Sequence, residues 1–270
     1  MCVMAFEANA QVTDTGRANS ADTGKSRIMG KNPGAPADTM KTTSSGRDLS
    51  HYVYHRPGTY IVPAVLVTYG LASFVIKPIR NVDYYFEGYV ARHDPTYNSK
   101  ASDYIQLAPA AFVYILNLAG DHGQNRFGDR TALLALSGAI LTIADGTKYL
   151  GHRNRPYGTD PLSFPSGHTG AAFLTAEFLA QEYGWKSPWY SVLGYTLATT
   201  DGILRVYGRA HWFSDCVAGA GLGMFSTKLA YVLYPHVRKL FSHKDKYGRS
   251  TMVLPTSVYG APGLAFSMPL

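Results

Sequence analysis

A chain of 270 residues, 46% hydrophobic and 16% charged, is long enough to bury one substantial core with tails to spare. The charged share is low for a soluble protein, where about 25% is usual, yet a mean hydropathy of −0.09 excludes a chain that is mostly membrane span. A net charge of +7 suits an anionic substrate or an anionic membrane face.

In chain order, Ala8-Asn9-Ala10 before Gln11 has the small-x-small form of a signal-peptidase site. Residues 1–10 therefore read as the remnant of a signal peptide and predict export to the cell envelope. Residues 11–50 are rich in Ser, Thr, Asp, Gly and Lys and poor in large apolar side chains, which predicts a disordered or linker segment. Residues 51–240 read as the folded body. Residues 57–76 form an uncharged run of 20, flanked by Arg56 and Lys77, and are the best candidate for a membrane span. Residues 104–120 are a second uncharged run. The apolar runs at 131–144, 187–200 and 216–227 are shorter and read as buried core helices. Strand alternation is poor throughout the body. The prediction is an all-α bundle of about six core helices, one or two of which contact or cross a membrane. Pro and Gly after residue 241 forbid a long helix, so residues 241–270 are expected to be an extended, irregular tail or a short strand. The two cysteines, Cys2 and Cys216, lack metal-ligand spacing, and Cys216 reads as a buried helical residue.

Three segments carry the chemistry: KYLGHRNRP at 148–156, PSGH at 165–168 and RVYGRAHWFSD at 205–215. A helix over 209–234 puts His211 and Asp215 one turn apart on one face. A carboxylate there accepts a hydrogen bond from one imidazole nitrogen, fixes the tautomer and leaves the other nitrogen free as a nucleophile. Ser166 fits an N-cap ahead of an Ala-rich helix, and Gly167 lets backbone approach a ligand. The N–H groups of that helix start favour an anion, and His168 beside it suits a general acid. Lys148 and Arg205 add positive charge. So does Arg155, which projects from a turn because Pro156 follows it. Such cations compensate the charge of a transferring phosphoryl group, with Arg suited to bidentate contact. His152, Arg153 and Arg209 read as peripheral. Asp121, His122, Arg126, Asp129 and Arg130 read as a solvated polar loop.

Taken in order, K-x6-R-P from Lys148 to Pro156, P-S-G-H from Pro165 to His168 and R-x5-H-x3-D from Arg205 to Asp215 resemble the type 2 phosphatidic acid phosphatase (PAP2) superfamily. That superfamily also holds class A acid phosphatases and vanadium haloperoxidases. The resemblance spans about residues 100–235. Two departures alter loop geometry: Leu204 stands where Ser usually precedes the third-motif Arg, and eight residues separate Pro156 from Pro165. The resemblance implies a helical bundle with the site between helices and a phosphatase that works without a metal or other cofactor. It implies His211 as the nucleophile forming a phosphohistidine, Asp215 as its orienting partner and His168 as the acid. It assigns the phosphoryl oxygens to Lys148, Arg155, Ser166, Gly167 and Arg205. The implied partner is a phosphorylated lipid such as phosphatidate, an isoprenyl diphosphate or a lipid A phosphate, or else a small phosphate ester. Nucleic acid is not an expected partner. The first reading is a membrane-associated envelope enzyme with its site facing the periplasm or exterior. The alternatives are a soluble periplasmic acid phosphatase of broad specificity and a vanadium-dependent haloperoxidase.

Overall fold

A computed structural model describes residues 57–94, 96–97, 100–244, 250–258 and 261–267. The leader expected over 1–10 and the linker expected over 11–50 lie outside the described residues. A 3₁₀ turn at Pro57–Tyr60 leads into α1 (Ile61–Ala72) and α2 (Lys77–His93). Two short helices, α3 (Ala101–Ile105) and α4 (Ala108–Leu118), precede α5 (Phe127–Asp145) and the single turn α6 (Lys148–Gly151). An irregular loop then reaches α7 (Gly167–Tyr183), α8 (Pro188–Tyr207) and α9 (Phe213–Phe241). Pro78, Pro109 and Pro188 stand in the first turns of α2, α4 and α8, where a missing N–H removes no helical bond.

The bundle is organised around α7. Eleven of its seventeen residues are buried, and α4, α5, α8 and α9 pack on it. Phe178, Leu179 and Tyr183 form the main core with Val113 of α4, Leu133 of α5 and Tyr231 of α9. Glycine sets the closest crossing. A Cβ at Gly223 would run into the Gly170 carbonyl, and one at Gly219 into the Ser166 carbonyl. The backbones of α7 and α9 therefore touch near their N-terminal ends. That contact brings the second and third motif segments together.

The 57–76 run is not one straight span. Its helix stops at Ala72, and α2 leaves at an angle of 85°. Pro78 explains the break, because in a continuous helix its ring would meet the Phe74 carbonyl four residues back. Arg80 stabilises the turn by donating to the carbonyls of Ser73 and Phe74, two acceptors left without helical partners. Two stretches, Phe127–Gly151 and Phe213–Lys239, are long and apolar enough to cross a membrane. The bent pair Pro57–Ala72 and Lys77–His93 qualifies only when its two arms are taken together. The 104–120 run is divided between α3 and α4 near Pro109, and α4 is too short to span alone. Large apolar side chains face outward on these elements, among them Val65, Val75, Ile143 and Leu150.

The extended tail is organised as an antiparallel ladder of β1 (Ser242–Lys244), β2 (Ser250–Val258) and β3 (Ala261–Ser267) in the order β1-β2-β3. Arg130 corrects the expectation of a solvated loop over 121–130. It is fully buried, and its Nε lies 3.0 Å from Glu182 Oε2. Glu182 also accepts from Asn125 and Tyr231, and Arg130 Nη2 donates to the Asn125 carbonyl at 2.8 Å, while Arg130 Nη1 has no hydrogen-bond partner among the described residues. Cys216 is buried on α9 with a free thiol.

Candidate active site

The single turn α6, the 152–166 loop, the start of α7, the end of α8, and α9 with the turn that leads into it carry the motif residues. Helix α9 begins at Phe213, so His211 sits in the turn ahead of it and the same-face spacing with Asp215 does not apply. His211 is 3% exposed, and its Nδ1 lies 2.7 Å from the Ser163 backbone carbonyl. A carbonyl only accepts, so Nδ1 carries the proton and Nε2 keeps its lone pair. The tautomer is thus held by Ser163 where the sequence pointed to Asp215. The Asp215 carboxylate bonds elsewhere. Its Oδ2 accepts from the Ser163 hydroxyl at 2.5 Å and from the Trp212 N–H at 3.1 Å, while Oδ1 accepts from Arg153 at 2.6 Å. As the third residue of α9 reaching back to the N–H just before the helix, Asp215 closes half of a capping box.

Burial, then the charges of Arg155 and Arg205, push the His211 imidazolium down to about 3; the Ser163 bond opposes this and Lys148 adds to it. The three cations named from the sequence therefore all act on this ring. The buried ring is therefore neutral at ordinary pH, with the Nε2 lone pair unprotonated. The sign for stability follows directly. Between about 3 and the ordinary 6.5, an unfolded chain binds a proton at this position and the folded chain does not. Stability contributed by His211 is complete above 6.5 and falls toward pH 3 by up to ~1.4 kcal/mol per pH unit. Thermal unfolding of wild type and His211→Gln between pH 4 and 6.5 checks this. Wild type should lose stability faster, and parallel curves would contradict it.

Lys148 pairs with Asp145 at 3.2 Å. A Cβ on Gly167 would lie 2.7 Å from Asp145 Oδ2 and 2.9 Å from Lys148 Nζ, so only glycine leaves room for that ammonium against the start of α7. Arg155 lies in the irregular loop, its Nε 2.8 Å from Asp160 Oδ2. Arg205, on the last turn of α8, has a buried Nε with no hydrogen-bond partner among the described residues. Ser166 occupies the N-cap position, but its hydroxyl does not cap. It is fully buried and bonds the Thr169 hydroxyl at 3.1 Å. The first N–H groups of α7 are therefore left without a side-chain cap, a favourable setting for an anion. His168, on the first turn of α7, is partly exposed, and its Nε2 faces Asp103 Oδ1 of α3 at 3.0 Å. That geometry suits a group that exchanges protons with solvent.

Sequence reasoning missed Arg153, Asp83, Ser163, Asp103 and Asp145. Arg153 is not peripheral: it lies 2.6 Å from both Asp83 and Asp215. Arg209, also read as peripheral, pairs with Glu87 of α2 and holds the turn before His211 with φ of 51°. Among the described residues, no group of three or more His, Cys, Asp or Glu is arranged to hold a metal ion.

The site is a buried, tautomer-locked histidine facing three cations at the mouth of a helix. Residues 139–239, which contain it, match the family model of the PAP2 superfamily. The chain is 37% identical over 138 residues to a lipid A 1-phosphatase of Porphyromonas gingivalis, covering 50% of this chain and 31% of that protein. It is 27% identical over 124 residues to a lipid A 4'-phosphatase of Helicobacter pylori, covering 43% of this chain and 61% of that one. The chain thus spans less than two thirds of either relative. A crystal structure of a transmembrane PAP2 type phosphatidylglycerolphosphate phosphatase from Bacillus subtilis is similar at 17% identity with a TM-score of 0.38. The match covers 66% of this chain and 96% of that one.

Proposed function

We propose that the chain is a membrane-associated phosphatase that hydrolyses a lipid phosphate monoester through a phosphohistidine on His211, without a metal. The observation that carries this reading is the His211 ring, with Nδ1 bonded to Ser163 and an unprotonated Nε2 among Lys148, Arg155 and Arg205. In the first step Nε2 attacks phosphorus in line, an N–P bond forms and the ester P–O bond breaks. His168 gives its proton to the leaving alkoxide. In the second step His168 takes a proton from water, the water oxygen attacks phosphorus, and N–P cleavage releases inorganic phosphate and restores neutral His211. Lys148, Arg155 and Arg205, with the N–H groups that open α7, hold the equatorial oxygens as charge redistributes.

A lipid substrate is supported by an apolar cavity of about 580 Å³ between α2, α7, α8 and α9. Its walls include Phe86, Phe173, Ile203 and Ala220. Val206 and Phe213 line both this cavity and the small hollow beside His211. An acyl chain seated there would lie against Val206 and Phe213, the two side chains that the cavity shares with the hollow beside His211. The two helices long enough to span, and the lipid A phosphatases among the relatives, favour the same reading over a soluble acid phosphatase. The site is proposed to face the outer side of a bacterial cytoplasmic membrane.

A phosphate-release screen in chelator tests this, with phosphatidate, an isoprenyl diphosphate and lipid A set against p-nitrophenyl phosphate. A lipid phosphate is expected to exceed the soluble ester at least about tenfold in kcat/KM. Ala220→Phe, which fills the cavity, should cut lipid turnover about tenfold and leave the soluble ester within about twofold. Preference for the soluble ester would replace this reading with the acid phosphatase. Halide oxidation with added vanadate, and no phosphate release, would replace it with the haloperoxidase.

A further inference from the structure

We infer that Arg153 and Asp83 form a positioning pair for the nucleophile, a role that rests on His211 being that nucleophile. The Arg153 guanidinium spans two buried carboxylates. One of its nitrogens lies 2.6 Å from Asp83 Oδ2 on α2, and the other lies 2.6 Å from Asp215 Oδ1 on α9. The second nitrogen also reaches Ser214 Oγ at 2.9 Å and Ser73 Oγ at 3.2 Å. Phe74 and Trp212 flank the plane, with ring centroids 5.2 and 5.4 Å from the guanidinium carbon. Asp83 completes the frame by accepting the Ser214 N–H at 2.8 Å and the Ser214 hydroxyl at 2.7 Å. A bend-forming helix from early in the chain is thereby tied to the start of α9.

The consequence reaches His211 through Ser163, which is held at each of its polar groups. Its N–H donates to the Arg153 carbonyl at 2.9 Å, and its hydroxyl donates to Asp215 Oδ2 at 2.5 Å. Its carbonyl then accepts from His211 Nδ1 at 2.7 Å. Arg153 therefore fixes Ser163 twice, through its own backbone and through the carboxylate it orients. Without that guanidinium two buried carboxylates lose their shared counter-charge and Asp215 loses its fixed orientation. The Ser163 carbonyl then drifts, and with it the direction in which Nε2 points. Arg153 touches no reacting atom in this scheme; it positions the residue that does.

Steady-state kinetics on p-nitrophenyl phosphate test this with full-length Arg153→Met, Arg153→Lys, Asp83→Asn and Ser163→Ala, each normalised to folded protein by its unfolding transition. Arg153→Met and Asp83→Asn should lower kcat between about ten- and a hundredfold with KM within about twofold, since a misplaced nucleophile loses rate while the cationic cradle still binds. Arg153→Lys, which keeps the charge without the fork, should recover part of the loss. Ser163→Ala keeps the carbonyl and removes only the hydroxyl link. It should lower kcat about tenfold, and it decides the matter where Arg153→Met does not fold. Unchanged kcat in folded Arg153→Met or in Ser163→Ala, or a rise in KM alone, would overturn the positioning role. Full activity of His211→Ala would instead overturn the nucleophile on which it rests.

Discussion

His211→Ala is expected to lose at least ~10⁴-fold in kcat while keeping its fold, the largest effect of any single substitution in this chain. The size follows from what the ring supplies. Its Nε2 is the atom that would bond to phosphorus, and its orientation is set by the Ser163 carbonyl and by burial to 3% exposure. Removing it leaves Lys148, Arg155 and Arg205, which on the proposed mechanism would still bind and polarise the ester for water, so a small residual rate should survive. His211→Gln should be nearly as poor, since an amide offers hydrogen bonds without a nucleophilic lone pair. Kinetics on a soluble ester with a good leaving group isolate this step from leaving-group protonation. Turnover within tenfold of wild type would remove His211 from the mechanism.

Arg205→Met should lower kcat/KM about 10³-fold, and Arg205→Lys should recover only part of it. Arg205 has a buried Nε without a hydrogen-bond partner among the described residues. Asp201, one turn earlier on α8, attracts the charge without satisfying that donor. An incompletely satisfied guanidinium costs stability, and the anion it awaits would repay that cost. The two effects should separate: Arg205→Met keeps or raises Tm while activity collapses. A variant that loses Tm in step with activity would mark Arg205 as structural. Inorganic phosphate should also raise the Tm of wild type more than that of Arg205→Met, because binding stabilises the folded state in proportion to affinity.

The helical class was legible because the body lacks strand alternation and its apolar runs are Ala-, Leu- and Gly-rich. The three motif segments were legible because local spacing carries them. What escaped the sequence depends on contacts across the chain. Arg153 sits two residues from Arg155 and has no local mark of importance; its partner Asp83 is 70 residues away and Asp215 is 62. Ser163 acts through its backbone carbonyl, a group every residue has, so no residue type signals it. The helical-face argument for His211 and Asp215 required α9 to begin near 209, but Arg209 adopts a left-handed turn and the helix starts at Phe213. The apolar run at 57–76 looked like one span because hydropathy does not register that Pro78, just past its end, forbids the helix from continuing.

The most direct test of the central claim is to trap the phosphoenzyme. Wild type mixed with a ³²P-labelled phosphate ester and quenched rapidly in alkali should carry covalent label on the peptide containing His211. That label should be stable to base, lost in acid and discharged by a chase of unlabelled substrate, and His211→Ala should carry none. Active wild-type enzyme without label, or label that persists in His211→Ala, would contradict a phosphohistidine at His211.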